Sequence, residues 1–199
     1  MHMMANSEIL IRKATAADAP FVAMVISEAI GDDIMERYVA AGNTIPEAEK
    51  ERMALIQQVV DCPDTLYTWQ HAIVATDASG DILGALVAYA GDNYPQRRAV
   101  TFRMFESILH FDPIEMDQET VAGEYYLDSL AVLPSQRGKG IGRMLLEQGI
   151  ATGRAEGRPV ILACAPENFS AKRLYESLGF RETYIYSLFG HPYHRMLLQ

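Results

Sequence analysis

The sequence feature that most constrains the fold is a glycine-rich turn, residues 137–142, which separates a strand pattern from a helical one. Before the turn, β-forming residues run over 125–133, and Pro134 ends the run. Glycines let backbone N–H groups converge without obstruction by Cβ atoms, and a helix N-terminus adds partial positive charge. The turn therefore predicts a phosphate site. Three basic side chains add full charges to it: Arg137, Lys139 and Arg143.

Residue spacing narrows the kind of phosphate site. A P-loop places Ser or Thr directly after Gly-Lys, but here Gly140 stands in that position. The dinucleotide pattern G-x-G-x-x-G fails in both frames, because Arg143 or Leu145 replaces its third glycine. What remains is Arg-x-x-Gly-x-Gly, formed by Arg137, Gly140 and Gly142.

A second pattern lies downstream of the glycine-rich turn. Residues 160–164 form a short apolar strand pattern, and Asn168 then opens a helical one that Gly179 ends before Phe180. Its spacing is Asn-x-x-Ala-x-x-x-Tyr-x-x-x-Gly-Phe, with the tyrosine at Tyr175. Together and in this order, the two patterns resemble the coenzyme-A-binding motifs of the GNAT superfamily, the acetyl-CoA-dependent N-acetyltransferases.

The resemblance implies the acyl-CoA N-acyltransferase fold, of mixed α/β (α+β) class. Its central sheet is mostly antiparallel and flanked by helices, and the two cofactor strands are parallel and splay apart. The resemblance is good over 125–180, weaker over 9–90 and poor over 91–123. We expect a single domain over 1–199, with an acidic insertion around 91–123.

The resemblance also implies that acetyl-CoA is the co-substrate. Its pantetheine arm is expected along the strand backbone, where the N–H group of Leu130 would polarise the thioester carbonyl. Asn168 is expected to bond the pantetheine or its neighbouring water, to cap its own helix, or both. The expected cofactor-binding residues are Leu130, Ala131, Val132, Arg137, Gly138, Lys139, Gly140, Ile141, Gly142, Arg143, Asn168 and Tyr175.

By the same resemblance, Tyr175 is expected to give a proton to the coenzyme A thiolate, since a phenol with a pKa of ~10 is protonated at neutral pH. The general base is less well defined, because Tyr126 stands where some family members carry a glutamate. Strand alternation places Glu124, Tyr126 and Asp128 on one side. Asp128 and Glu124 are therefore the candidate bases, acting through water, while a capping or substrate-orienting role for Asp128 stays open.

Charge along the chain favours a cationic acceptor. Residues 104–136 hold no Lys or Arg and seven acidic residues, and the next segment is rich in basic residues. This segregation fits an anionic cofactor beside a cationic amine. The alternative is a solvated acidic loop, and charge reversal at Asp117 or Glu119 tests it through the acceptor's KM.

The predicted function is transfer of an acetyl group to a primary amine, a cationic small molecule, by direct attack in a ternary complex. Cys164 is expected to be a small buried residue rather than a nucleophile, which argues against a covalent route. Two alternatives stay open. One is transfer of another acyl group, and the other is a non-catalytic sensor that binds coenzyme A.

Composition excludes several other classes. A net charge of −9 with a pI near 5.0 argues against nucleic-acid binding. The sequence lacks an apolar run of ~18 residues and a signal-peptide pattern, so neither a membrane span nor secretion is expected. Cys62 and Cys164 fit reduced thiols in a cytoplasmic protein. The pair His191 and His194 lacks a third ligand, so no metal site is expected. A homodimer is compatible with the sequence.

The remaining elements follow from periodicity and turn signals. A first helix is expected to close at Gly31, and a capping box at Thr44 and Glu47 opens the next. Gly84 inside a strand indicates a bulge or a close backbone approach. Aromatic residues at the tip of the C-terminal hairpin either line the acceptor pocket or pack in the core. The other expected elements are a strand at 9–12, a hairpin of 71–76 with 82–89, a helix at 97–109, and a hairpin of 184–188 with 194–198.

Overall fold

The computed structural model describes residues 9–40, 44–109 and 116–199, with backbone alone at 31–40 and 107–109. Seven strands in these ranges form one sheet: β1 (Leu10–Lys13), β2 (Ala72–Thr76), β3 (Ile82–Ala90), β4 (Tyr125–Val132), β5 (Val160–Cys164), β6 (Phe180–Leu188) and β7 (His191–Leu198). Their order is β1-β2-β3-β4-β5-β7-β6, and only the pair β4–β5 is parallel. The predicted fold class is confirmed.

Helices cover both faces of this sheet. The described ranges contain α1 (Ala19–Ala40), α2 (Ile45–Asp61), α3 (Tyr94–Leu109), α4 (Ile141–Ala155) and α5 (Phe169–Ser177). Apolar residues of α1, α2 and α3 pack in one core cluster with the sheet. Those of α4 and α5 pack in a second cluster. The sheet therefore separates an α1–α2–α3 side from an α4–α5 side.

Helix α1 is longer than the sequence predicts. The expected end at Gly31 is wrong, because the helix continues for nine more residues to Ala40. Glycine costs about 1 kcal/mol relative to alanine inside a helix, but unlike proline it keeps its N–H group and clashes with nothing. The pattern at 32–43 is ambiguous between a helix end and a loop, and its residues 41–43 lie outside the described ranges.

Other local predictions are confirmed. Thr44 and Glu47 form the capping box of α2, and β2 and β3 pair across a turn at 77–81. Gly84 is a point of close backbone approach, since a Cβ there would lie 2.8 Å from the carbonyl oxygen of Ala131. The side-chain-free position lets β3 and β4 lie side by side at the edge of the predicted cofactor site.

Strand β4 departs from its neighbours on both sides. Its parallel pairing with β5 ends at Leu127 and Leu162, although β4 continues to Val132. On the β3 side, Val87 pairs with Ser129 and the next pair joins Ala88 to Leu127. Asp128 is therefore the extra residue of a β-bulge, which re-aims its side chain at the place where the two parallel strands separate.

The segment with poor resemblance, 91–123, contains α3, and its described residues 116–123 lead into β4, while 110–115 lie outside the described ranges. Asp117 fastens this stretch to β6: its N–H group donates to the carbonyl of Ser187, and its carboxylate accepts from the Ser187 N–H. The predicted C-terminal hairpin is confirmed, but β7 begins at His191 instead of 194, which leaves a two-residue turn at Phe189 and Gly190, both at positive φ. Phe189 contacts Phe102 of α3, so the hairpin tip and the insertion pack together.

Candidate active site

The glycine-rich turn leads into the N-terminus of α4, as predicted. Gly138 and Gly140 have φ angles of +78° and +83°, and Gly140 occupies the N-cap position of the helix. Such angles are costly for other residues. A Cβ at either glycine would meet nothing within 4 Å, so both positions border open space. The free N–H groups of the first helical turn and the helix dipole therefore meet a cavity that is suited to phosphate.

This first cavity, the loop cavity, has a volume of about 670 Å³. It runs from the glycine-rich turn to the start of α5. Ten of the twelve residues expected to bind the cofactor line it: Leu130, Ala131, Val132, Arg137, Gly138, Gly140, Ile141, Gly142, Arg143 and Asn168. Lys139 does not line it, and its ammonium group donates to the side chain of Gln136 at 2.8 Å. The sequence motifs are thus brought together along one groove.

Asn168 has a structural role that the sequence left open. Its side chain accepts from the Ala171 N–H at 3.1 Å and so caps α5. The residue also lines the loop cavity and its neighbour. The helix cap is therefore confirmed, and the contact with pantetheine stays a prediction.

A second cavity, the junction cavity, lies where β4 and β5 separate. Its volume is about 250 Å³, and it is lined by Asp128, Ser129 and Leu130 from one strand and by Ala163 and Cys164 from the other. Tyr175 of α5 lines it as well. The proposed acid Tyr175 and one candidate base, Asp128, therefore border the same small space.

Tyr175 and Cys164, which both line the junction cavity, are held in their neutral forms. Burial raises the pKa of Tyr175 to about 12, and Cys164 raises it further. Burial likewise raises the pKa of the Cys164 thiol to about 11. Since a cysteine needs its thiolate form to act as a nucleophile, this environment disfavours a covalent role for Cys164.

A third cavity, the inner cavity, lies beyond Asp128 on the α1 side of the sheet and has a volume of about 90 Å³. Its lining includes two carboxyl groups, those of Glu119 and Asp128, together with aliphatic and aromatic side chains. The aromatic residues are Tyr67, Tyr126, Phe189 and Tyr193. Two of them, Phe189 and Tyr193, come from the C-terminal hairpin, for which the sequence left lining and packing open.

Asp128 borders both the inner and the junction cavities. Its carboxylate accepts from the hydroxyl of Tyr89 at 2.5 Å and from that of Ser129 at 2.6 Å. Burial raises the pKa of Asp128, and these two hydrogen bonds oppose the shift. The carboxyl group is therefore a better proton acceptor than an exposed aspartate.

Glu119 is a site residue that the sequence did not identify as catalytic. It is 5% exposed and accepts from the hydroxyls of Tyr126 at 2.8 Å and Tyr94 at 3.2 Å. Burial raises its pKa, and the charge of Asp128 raises it further. The acidic run at 104–136 was the available signal. It marked Asp117 and Glu119 equally, and only the fold shows that one fastens a loop and the other lines a cavity.

Glu124, the other candidate base, lies elsewhere. It forms an ion pair with Arg195 and accepts from the hydroxyl of Thr120 and the N–H of Val121. It lines neither the junction cavity nor the inner cavity. The structure thus brings Asp128 and Tyr175 together and leaves Glu124 apart from them.

Within the described ranges, every helix falls short of the length or the hydropathy that a membrane span requires. In the same ranges, no group of three or more His, Cys, Asp or Glu residues is arranged to hold a metal ion.

Comparison with known proteins adds to this geometry. Residues 44–180 match the model of the acetyltransferase (GNAT) family. An N-acetyltransferase from Staphylococcus aureus Mu50 superposes with a TM-score of 0.78 at 21% identity, covering 95% of this chain and 100% of that one. A structure described only as an acetyltransferase gives a TM-score of 0.73 at 25% identity, covering 96% and 98%. The NatC complex bound to Gag peptide and CoA gives 0.52 at 20% identity, covering 96% and 98%. No curated protein sequence gives a significant match.

Proposed function

Because the chain belongs to the acetyltransferase (GNAT) family, whose members use acetyl-CoA, we propose that it acetylates a slender primary amine that arrives as a cation. The observation that carries this proposal is the inner cavity. It joins two carboxyl groups to aliphatic and aromatic side chains and shares Asp128 with the junction cavity. An amine held there lies next to the place where the two parallel strands separate.

The proposed binding site for coenzyme A is the loop cavity. Its glycines at positive φ and the N-terminus of α4 offer backbone N–H groups to the pyrophosphate. Arg137 and Arg143 supply positive charge at its rim, with side chains 60% and 42% exposed. The unpaired length of β4 beyond Leu127 offers backbone to the pantetheine arm and the N–H of Leu130 to the carbonyl.

The size and lining of the inner cavity indicate the acceptor class. With a volume of about 90 Å³, the inner cavity is the smallest of the three, which favours the end of an unbranched chain over a ring. A cationic end gains from the carboxylates of Asp128 and Glu119 and from aromatic faces. An aminoalkyl group meets these conditions better than the hindered amine of an amino sugar or a peptide N-terminus.

Acetyl-CoA supplies a thioester that the amine attacks directly, and this chain's residues manage the protons. An ammonium enters with three protons, and its amide product keeps one. Asp128 takes the first proton and passes it to solvent. Tyr175 donates a proton to the departing thiolate, and the second nitrogen proton replaces it. One proton is released per turnover, and the thiol of Cys164 stays unused.

The test has two stages. Thermal unfolding is measured with acetyl-CoA, with ATP and NAD as controls. A ligand at a hundred times its Kd stabilises the folded state by roughly 2.7 kcal/mol. Release of free thiol is then followed with unbranched diamines and aminoalkyl compounds, an amino sugar and a peptide N-terminus.

Turnover highest with the unbranched amines supports the proposal. Turnover confined to the amino sugar or peptide contradicts the acceptor class. Binding of acetyl-CoA without turnover of any amine would favour the sensor function, and no stabilisation by acetyl-CoA would contradict both.

A further inference from the structure

We infer that Glu119 and Asp128 act as one carboxyl pair that holds a single proton, and that Glu119 is the positioning residue that keeps Asp128 able to take a proton from the ammonium. This inference rests on the proposed function, since it concerns the acceptor site. Glu119 comes from the insertion at 91–123, the part of the chain in which the resemblance to the family is poorest.

The two carboxyl groups have different positions. Both line the inner cavity, but only Asp128 also lines the junction cavity that contains Tyr175. Asp128 is therefore the group that faces the reacting nitrogen. Glu119 borders the inner cavity alone and acts on the proton transfer through its partner.

Hydrogen bonds hold each carboxyl group without supplying a counter-charge. Glu119 accepts from the hydroxyls of Tyr126 and Tyr94, and Asp128 accepts from those of Tyr89 and Ser129. All four donors are neutral hydroxyls. Neutral donors fix the geometry but do not cancel the repulsion between two carboxylates in a confined space, so the pair retains a proton that separate carboxyls would lose.

The other titratable groups around the pair come from several elements. They are Tyr67 before β2, His71 against Tyr89, Tyr94 and Arg98 on α3, Tyr126 on β4, Tyr186 on β6 and Tyr193 on β7. Burial raises the pKa values of Tyr67, Tyr89, Tyr94, Tyr126 and Tyr186, so these phenols remain protonated at neutral pH.

Among the described residues, His71 and Arg98 are the two nitrogen-containing titratable groups near the pair. Burial lowers the pKa of His71, which favours its neutral form. Arg98 opposes the upward shift of the pKa of Glu119, but its guanidinium group donates to the carbonyl of Met116 and lies over the ring of Phe102. Glu119 differs from these groups, because burial and the charge of Asp128 raise its pKa to about 8, within reach of neutral pH.

A shared proton suits the chemistry of the acceptor. An ordinary carboxylate is a weak base toward an ammonium with a pKa of about 10. A second carboxylate close by makes proton uptake more favourable, because it removes one of two like charges. The pair is thus closer in proton affinity to the amine than a lone aspartate would be.

The insertion also provides a matched control. Asp117 lies two residues before Glu119 and carries the same charge, but its carboxylate accepts from the N–H of Ser187 outside the inner cavity. The amide of Asn can still accept that hydrogen bond. Asp117→Asn therefore removes one negative charge from the same segment and leaves the pair intact.

The experiment is the pH profile of kcat/KM for one unbranched amine, with wild type, Glu119→Gln and Asp117→Asn. The titration of the amine itself is the same for all three proteins. In Glu119→Gln we expect the acidic limb to move down by at least half a pH unit and the plateau to fall about tenfold, since Asp128 is left as a weaker base. Asp117→Asn should keep the wild-type limb. An unmoved limb in Glu119→Gln, or equal shifts in both variants, would overturn the inference.

A second measurement keeps the inference separate from the proposed function. Infrared difference spectra between pH 6 and 9 report loss of a protonated carboxyl group without any turnover. Wild type should lose one such group in this range, whereas Glu119→Gln and Asp128→Asn should each lose it at lower pH. If wild type acetylates no amine, the proposed function fails while the spectra still decide the pair. If Glu119→Gln does not fold, the spectra of Asp128→Asn test the pair in its place. If wild type loses no protonated carboxyl group between pH 6 and 9, the inference is overturned.

Discussion

The proposed cofactor side of the site, formed by the loop and junction cavities, and the proposed acceptor side, formed by the inner cavity, are built in different ways. The loop and junction cavities draw most of their lining from residues 128–175, in which β4, α4, β5 and α5 follow one another, and α1 and Tyr193 add the rest. The inner cavity combines α1, Tyr67, Glu119, the bulge of β4 and the C-terminal hairpin, which lie between residues 29 and 193 of the chain. One side is local in sequence and the other is assembled by tertiary packing.

The charges of the two sides differ as well. Arg137 at the loop cavity has a side chain that is 60% exposed, whereas Glu119 in the inner cavity is 5% exposed. Exposed charges are screened by water and salt, so recognition on the cofactor side falls mainly on oriented backbone N–H groups. Buried charges act strongly on one another, so the acceptor side depends on individual carboxyl groups. Substitutions should therefore affect the two sides differently.

The largest effect is expected from Gly140→Trp on the cofactor side. A side chain at φ +83° strains the backbone and projects into the open space of the loop cavity. Binding of acetyl-CoA should weaken at least a hundredfold, and the stabilisation of roughly 2.7 kcal/mol at a hundred times the wild-type Kd should disappear. Activity should be lost with it.

Gly157→Trp is the control for this change. Gly157 follows the other end of α4 at φ +69°, and a Cβ there also meets nothing within 4 Å. The backbone strain is similar but the position is remote from the cavity. Normal binding by Gly140→Trp, or equal losses in the two variants, would contradict the cofactor assignment.

On the acceptor side, Asp128→Asn should lower kcat/KM by about 10²–10⁴ while leaving the stabilisation by acetyl-CoA unchanged. The amide keeps the shape of the side chain but cannot take a proton from the ammonium. Steady-state kinetics and thermal unfolding with acetyl-CoA measure the two halves of this prediction.

Glu124→Gln tests the alternative base from the sequence. It breaks the ion pair with Arg195 and should lower stability, with a far smaller loss of kcat/KM than Asp128→Asn. The reverse order of the two losses would return the role to Glu124.

Tyr175→Phe should have a smaller effect, about a hundredfold in kcat, since it removes one proton donor from the junction cavity. Tyr125→Phe, at the first residue of β4 and outside the loop, junction and inner cavities, serves as the control. A kcat within twofold of wild type for Tyr175→Phe would exclude it as the acid.

The contrast between a locally built cofactor side and an acceptor side assembled by tertiary packing explains which parts of the site could be predicted from the sequence. The strand, turn and helix around Gly140 follow from local rules, since positive φ, apolar period and cap are all short-range properties. The spacing from Asn168 to Gly179 likewise predicted α5 and its ends. These elements needed no knowledge of distant contacts.

The acceptor side could not be predicted in this way. Regular strand alternation made Glu124 and Asp128 equal candidates for the general base. The bulge at Asp128 depends on pairing with β3, and the ion pair of Glu124 depends on Arg195 of β7. Asp117 and Glu119 were equivalent in composition and differ only because β6 holds one and the inner cavity holds the other. Long-range packing determines the roles of these four acidic residues, and a local sequence pattern does not contain information about such packing.

The smallest expected effect is on stability, and it isolates the buried charge of the acceptor side. The pKa of Glu119 is raised from its ordinary value of 4.5 to about 8 in the folded protein. Between pH 4.5 and 8 the folded state therefore binds more protons than the unfolded one. The free energy of unfolding contributed by this group must then fall as pH rises, by at most ~1.4 kcal/mol per pH unit. The lowered pKa of His71 acts in the opposite sense near pH 6, and the comparison therefore begins at pH 7.

From pH 7 to 9, wild type should lose about 1 kcal/mol more than Glu119→Gln, roughly 2–4 °C in Tm for a chain of this size. Arg137→Gln, which removes an exposed charge from the cofactor side, should keep the wild-type slope. Denaturant or thermal unfolding across this range measures all three. Parallel curves for wild type and Glu119→Gln would mean that Glu119 is already ionised at pH 7. The electrostatic difference between the two sides would then rest on Asp128 alone.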